Sequence, residues 1–153
     1  MVGSGKTSLA RSLATQTNAL FLCPDAWIPG LMQDSGNRAE ADRLREPVES
    51  LQWELARTLL ARGTSIILDN GFWSREERLS YRDGAAAVGA RVELHYLDVS
   101  RDELWRRVQA RNRSIDVGAF VVQENEIDIW MGWFTPPDRE EAGRYDNFVH
   151  HRA

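Results

Sequence analysis

The chain has 153 residues, 42% of them hydrophobic, with 23 acidic against 19 basic side chains and a formal net charge of −4. That is the size and apolar content of one folded domain, and it supports neither a disordered segment nor a strongly basic nucleic-acid tail. No apolar run approaches the roughly 20 residues of a membrane-spanning helix, the opening lacks the layout of a signal peptide, and the single cysteine, Cys23, excludes an internal disulfide and suits a reducing cytoplasm.

The chain opens Met1-Val2-Gly3-Ser4-Gly5-Lys6-Thr7-Ser8, which matches the phosphate-binding loop pattern G-x-x-x-x-G-K-S/T from its second position onward. Glycines let backbone N–H groups turn inward around phosphate oxygens, Lys6 neutralises the phosphates, and the Thr7 hydroxyl suits Mg²⁺. Of the 19 basic residues 18 are arginine, and Lys6 is the only lysine. A composition that favours arginine everywhere else marks Lys6 as a place where a compact ammonium group is needed.

A phosphate loop of this kind follows a buried strand, and its first glycine would directly precede Met1. That strand lies centrally in its sheet, so a chain opening inside the loop is expected to leave backbone groups unpaired and apolar side chains uncovered. The expectation is a single domain, N-terminally incomplete, whose native form begins several residues upstream. The alternative is a truncated, degenerate nucleotide-binding domain.

Leu9 with Leu13 and Ala10 with Ala14 repeat four apart, predicting an amphipathic helix after the loop. Residues 19–23, Ala-Leu-Phe-Leu-Cys, read as a buried parallel strand ended by Pro24-Asp25. From about Pro47 to Arg62 a helix is predicted, with proline in its first turn and Gly63 as its stop. A second buried strand spans 65–69 and ends in Asp69. Ser74 with Glu77 has capping-box spacing and opens a helix that stops near Gly89; a third strand spans Val92 to Leu97; Ser100 with Glu103 opens the next helix. Residues 123–133 are predicted helical, Thr135-Pro136-Pro137 breaks the chain, and 147–151 form a last strand. Alternating strands and helices predict an α/β fold with a parallel sheet, whose ligands gather at the carboxyl ends of the strands.

Asp69 ends an apolar strand, where a carboxylate can sit beside a Mg²⁺ held by the loop hydroxyl; the other reading is a strand-end aspartate capping the turn with Asn70 and Gly71. Asp25, at the end of the preceding strand, can accept the proton of an attacking hydroxyl; the other reading is a turn aspartate after Pro24. Arg107 and Arg111 lie four apart on one helical face and can bind phosphate bidentately, or be solvated surface arginines. Arg75 and Arg78 are weaker candidates for the substrate side. Trp27 and Trp73 each follow a strand-end aspartate and can line a pocket. His95, His150 and His151 do not make a metal site.

Taken together, Gly3-Ser-Gly-Lys-Thr7, the strand ending in Asp25, Leu68 through Arg78, Leu97-Asp98, Leu104-Trp-Arg-Arg107 with Arg111-Asn112, and Phe134-Thr-Pro-Pro137 resemble the P-loop kinase-like ATP-binding proteins, a predicted-kinase group related to zeta toxins, chloramphenicol phosphotransferases, gluconate kinases and polynucleotide kinases. The resemblance implies a three-layer α/β/α sandwich with a nucleoside-monophosphate-kinase-like parallel sheet, ATP and Mg²⁺ as cofactors, and Asp25 as base. It also implies Arg107 and Arg111 on a lid-like segment. The function expected is transfer of the γ-phosphoryl group of ATP to a hydroxyl of a small molecule. In the expected division of labour, Gly3, Ser4, Gly5, Lys6, Thr7 and Ser8 hold the nucleotide, Thr7 and Asp69 hold Mg²⁺, and Lys6, Asp25, Arg107 and Arg111 act in transfer. Two other readings stand beside it: a nucleotide-binding protein without transferase activity, and a polynucleotide 5′-hydroxyl kinase, against which the net negative charge argues mildly.

Overall fold

The computed structural model describes residues 1–34, 36–113 and 120–152. Helix α1 (Lys6–Thr17) starts at Gly5, whose φ of 91° places it in the left-handed region, and no side chain caps its first turn. Strand β1 (Leu20–Leu22) follows, then the short α2 (Pro24–Trp27) and a 3-10 turn at Ile28–Gly30. Pro24-Asp25, read as the end of that strand, opens a helix, because proline at the first helical position has no N–H to leave unpaired.

Helix α3 spans Arg38–Leu60 and carries Pro47 in its interior, so the expected start at Pro47 is corrected upstream to Arg38. The Asn37 side chain accepts a hydrogen bond from the Glu40 N–H, a cap that starts the helix earlier. Packing of Ala41 and Val48 against Ile28 then carries it past the proline, in spite of the lost backbone bond. Strand β2 is Ile66–Leu68. Helix α4 (Arg75–Ala86) begins where Ser74 accepts from the Glu77 N–H, as the spacing predicts. Strand β3 (Glu93–Asp98), α5 (Arg101–Arg113), α6 (Glu124–Trp133), α7 (Arg139–Ala142) and β4 (Asn147–Arg152) complete the order.

All strand pairing is parallel, but it is divided. Strand β1 pairs with β2, Leu22 opposite Leu68, and β3 pairs with β4, Leu97 opposite His151. Among the described residues these are two separate two-stranded sheets. Between them runs a cleft of about 710 Å³, walled by Ile66 to Asp69 on one side and Leu94 to Leu97 on the other. The buried core is divided in the same way. Val99, Leu104, Val108, Val122 and Ile127 form one cluster around α5 and α6, and Ile28, Ala41 and Val48 form another around α3.

Candidate functional site

The site is built where the loop meets the carboxyl end of β2. Gly3 and Gly5 have φ of 79° and 91°, conformations that a side chain makes costly. A Cβ on Gly3 would also lie 3.1 Å from both the Leu104 carbonyl oxygen and Val108 Cγ2. The loop is thus packed directly on α5. Ser4 is buried, and its hydroxyl donates to the Met1 carbonyl at 2.8 Å. With no cap and no acidic residue in its first turn, α1 presents backbone N–H groups and the positive end of its dipole to whatever lies beyond the loop.

Lys6 and Thr7 open that helix, and both reach Asp69. The ammonium group donates to Asp69 Oδ1 at 3.1 Å and the Thr7 hydroxyl to Oδ2 at 2.6 Å. Asp69 is the residue after β2, and its side chain is only 1% exposed, while that of Lys6 is 26% exposed. A buried carboxylate is thereby held at the mouth of the loop by one cation and one hydroxyl. The structure brings Lys6, Thr7 and Asp69 together. Ser8 lies on the exposed face of the first turn.

Asp25 stands at the same end of the sheet, two residues after Cys23 at the end of β1, in the first turn of α2. Its carboxylate is exposed and accepts from Arg45 Nη2 at 2.8 Å. Arg45 also lies 3.9 Å from Glu49, one turn on along α3. Burial pushes the Glu49 carboxyl above its usual range, Arg45 opposes that shift, and the neighbouring Glu77 and Asp25 charges add to it. Lys6 is close enough to act on Glu49 as well. A carboxylate perturbed by burial and by specific neighbours beside the phosphate loop is a functional candidate. Sequence reasoning missed both Arg45 and Glu49. The signal was their spacing of four, hidden because the helix was read as starting at Pro47.

Arg107 differs from its expected position. Its Nε donates to Glu103 at 2.6 Å, and its Nη1 donates to the carbonyl oxygens of Gly3 and Ser4 at 3.4 and 3.2 Å. An ion pair one turn back and two loop carbonyls draw the guanidinium onto the loop backbone rather than out over the nucleotide's reacting end. Arg111 donates to the Phe120 carbonyl at 3.3 Å; burial lowers its pKa and the nearby Asp25 charge works against that. Arg111 and Asp25 therefore share one electrostatic neighbourhood.

Neither Arg75 nor Arg78 is available to a substrate as first read. Arg75 bridges Asp138 and Glu140 at 3.0 and 2.6 Å. Arg78 is buried in a bidentate pair with Glu141 at 2.6 and 2.8 Å, which ties α4 to α7. Trp73 packs edge-on against Trp133, ring centroids 6.4 Å apart, and shields Gly71, where a Cβ would meet its indole nitrogen at 2.7 Å. Trp27 is 40% exposed at the end of α2. His95 and His151 face each other with ring nitrogens 3.0 Å apart, and His150 contacts Asp98 at 3.0 Å.

The donors fit Mg²⁺ only in company. Among the described residues there is no group of three or more His, Cys, Asp or Glu side chains that could hold a metal ion. One carboxylate and one hydroxyl are what a site offers when phosphate oxygens and water complete the shell. Among the described residues no helix is long and apolar enough to cross a membrane.

A glycine-walled loop, an uncapped helix N-terminus, and a Lys-Thr pair meeting a strand-end aspartate define a P-loop protein of kinase-like α/β fold. The chain belongs to the AAA domain family, whose model matches residues 1–137. No curated protein matches it. Among solved structures it is similar to a kinase candidate from Chloroflexus aurantiacus J-10-fl, with a TM-score of 0.76 at 17% identity, covering 97% of this chain and 82% of that one. It is also similar to a gluconokinase from Sinorhizobium meliloti 1021, with a TM-score of 0.62 at 16% identity, covering 99% of this chain and 78% of that one. These likenesses are of fold.

Proposed function

We propose that the protein binds ATP with Mg²⁺ and transfers the γ-phosphoryl group to a hydroxyl of a small molecule. The observation that carries this reading is the meeting of Lys6 and Thr7 on buried Asp69 beneath an uncapped helix N-terminus. Lys6 and the first-turn amides of α1 hold the phosphates. Mg²⁺, when bound, screens phosphate charge and orients the oxygens; Thr7 and Asp69 are the residues that would hold it. Since Asp69 already accepts from both Lys6 and Thr7, nucleotide binding exchanges those two bonds for bonds to phosphate and metal.

Asp25 accepts the proton of the acceptor hydroxyl as the O–P bond forms, with Arg45 fixing the carboxylate's orientation. Arg111, in electrostatic reach of Asp25, neutralises the transferring group. Arg107 holds the Gly3 and Ser4 carbonyls, so the loop amides stay turned toward the phosphates. The small-molecule assignment draws support from the gluconokinase likeness in fold and from the net charge of −4, which does not favour a polyanion.

The test is an ATP-consumption screen over sugars, sugar acids, nucleosides, aminoglycosides and a 5′-hydroxyl oligonucleotide, each run with Mg²⁺ and against a Lys6→Met blank. Acceptor-dependent ADP release with a small molecule supports the proposal. ATP·Mg²⁺ uptake without turnover on any acceptor identifies a nucleotide binder instead, and absence of uptake overturns the phosphate-site assignment.

A further inference from the structure

The proposed reaction leaves one cluster beside the phosphate loop without a use, and two helices build it in the same way. On α3, Glu49 and Trp53 lie four apart, and on α4, Glu77 and Tyr81 do the same. Each helix therefore stacks a carboxylate one turn above a ring on a single face. The rings of Trp53 and Tyr81 meet with centroids 4.6 Å apart, and Phe72 closes on Tyr81 edge-on at 5.0 Å. Gly84 permits this approach, since a Cβ there would lie 2.7 Å from the Trp53 ring. Helices packed so closely bring Glu49 and Glu77 into each other's field, and like charges so placed oppose each other.

The cations nearby are already engaged. Arg45 gives its short bond to Asp25 at 2.8 Å and stays 3.9 Å from Glu49, and Lys6 is held by Asp69 at 3.1 Å. Among the described residues no group donates a hydrogen bond to Glu49, although its side chain is only 20% exposed. Glu77 takes the Trp73 N–H on Oε2 at 2.8 Å, and its other oxygen has no donor among the described residues. A third acceptor stands with them. Asn70 is 7% exposed, and its Oδ1 is buried with no partner among the described residues. Around the Tyr81 hydroxyl all three meet: burial raises the phenol's pKa, the Glu49 and Glu77 charges add to the rise, and the Asn70 side chain opposes it. Every unfilled polar atom that converges here is an acceptor, and a buried acceptor left unpaired is costly.

We propose that this cluster is the specificity subsite of the transfer reaction and that it receives an ammonium group, so that the acceptor is a hydroxylated amine. The inference rests on the phosphoryl-transfer reading, because Asp25 and Lys6 both lie within electrostatic reach of Glu49 and set the reacting hydroxyl beside it. Glu49 and Glu77 each accept from the ammonium group, Asn70 Oδ1 accepts a further N–H or O–H, and the aromatic floor of Tyr81 and Trp53 attracts the cation. A neutral hydroxyl would fill one acceptor and leave two like charges facing each other, and a carboxylate would add a third negative charge. The acceptor that these charges select is therefore not a sugar acid, whatever the likeness in fold to a gluconokinase. The ammonium group stays intact in transfer: the O–P bond forms at the acceptor hydroxyl, the bond from the γ-phosphorus to the ADP oxygen breaks, and the hydroxyl's proton passes to Asp25.

The test pairs each amine with its own N-acetyl form, which keeps the hydroxyls and removes the charge. Ethanolamine, glucosamine and kanamycin, their N-acetylated forms, glucose and gluconate are offered to the protein and to its Glu49→Gln and Glu54→Gln variants, with ATP·Mg²⁺ uptake measured in each. Glu54 is exposed on the same helix, so its variant controls for net charge alone. Turnover is expected with an amine, with kcat/KM lower by at least ~10-fold for the N-acetyl form. In Glu49→Gln the KM for the amine should rise ~10–100-fold with kcat held within about threefold, and Glu54→Gln should change neither. Turnover that prefers glucose or gluconate, that survives N-acetylation, or whose KM ignores Glu49→Gln overturns the subsite and leaves the transfer reading standing. If no acceptor is turned over, the transfer reading fails instead, and calorimetric titration with kanamycin, in the presence and absence of ATP·Mg²⁺, decides the ammonium site by itself. Heat that is lost on N-acetylation and in Glu49→Gln supports it, and no such difference overturns it. Should Glu49→Gln fail to fold, the amine and N-acetyl comparison on the parent protein decides in the same two directions.

Discussion

Removing the Lys6 ammonium group puts the site's electrostatics to the sharpest test. In Lys6→Met the stem is kept and the charge is lost, so Asp69, with a side chain 1% exposed, keeps only the Thr7 hydroxyl at 2.6 Å. Breaking a buried pair by deleting one partner typically costs 3–5 kcal/mol. Lys6 is 26% exposed, so water screens part of the pair, and the expected loss is about 2–3 kcal/mol. For a chain of this size that corresponds to a fall of roughly 5–10 °C in Tm. Asp69→Asn removes the charge at the buried end and keeps a hydrogen-bonding oxygen for Thr7, so it costs only about 1 kcal/mol. The double variant then recovers most of the Lys6→Met loss, with a coupling energy of about 1–2 kcal/mol. Urea unfolding followed by tryptophan fluorescence measures all three, and calorimetric titration with ATP and Mg²⁺ should show binding lost in each. A Lys6→Met protein as stable as the parent, or one whose loss Asp69→Asn does not relieve, would show that the pair does not hold the mouth of the loop.

Asp25→Asn should leave the Kd for ATP·Mg²⁺ within about twofold and reduce kcat by roughly 10²–10⁴-fold; equal turnover removes Asp25 from the proton transfer. Gly3→Ala should destabilise by about 1–3 kcal/mol, because its φ of 79° is strained for a side chain and the methyl group would sit 3.1 Å from α5, and chemical denaturation that finds no change would contradict the loop geometry.

Much of the fold was legible because its signals are local. Ser74 caps α4 as its spacing with Glu77 predicts, and Asp69 could be placed because an apolar run of strand length ends on it. What escaped were features settled by packing. Pro47 reads as a helix start by itself, yet Asn37 caps the helix upstream and contacts of Val48 hold it, which concealed the Arg45 and Glu49 pair beside Asp25. The two arginines chosen for phosphate also take different partners. Arg107 and Arg111 share a helical face, but a favourable ion pair with Glu103 and the nearby loop carbonyls turn Arg107 onto the backbone. Periodicity gives a face and not a destination. Arg78 shows the same limit, since its partner Glu141 lies 63 positions away.

The contact between the loop and α5 has a mechanical consequence. Gly3 rests on the Leu104 carbonyl and Val108, while Arg107 from the same helix grips Gly3 and Ser4. Helix and loop are therefore coupled as a lever and its fulcrum. On the proposed function, a tilt of α5 on engagement of Arg111 near its far end would be delivered to the loop's peptide planes, so that acceptor occupancy and nucleotide grip would rise and fall together.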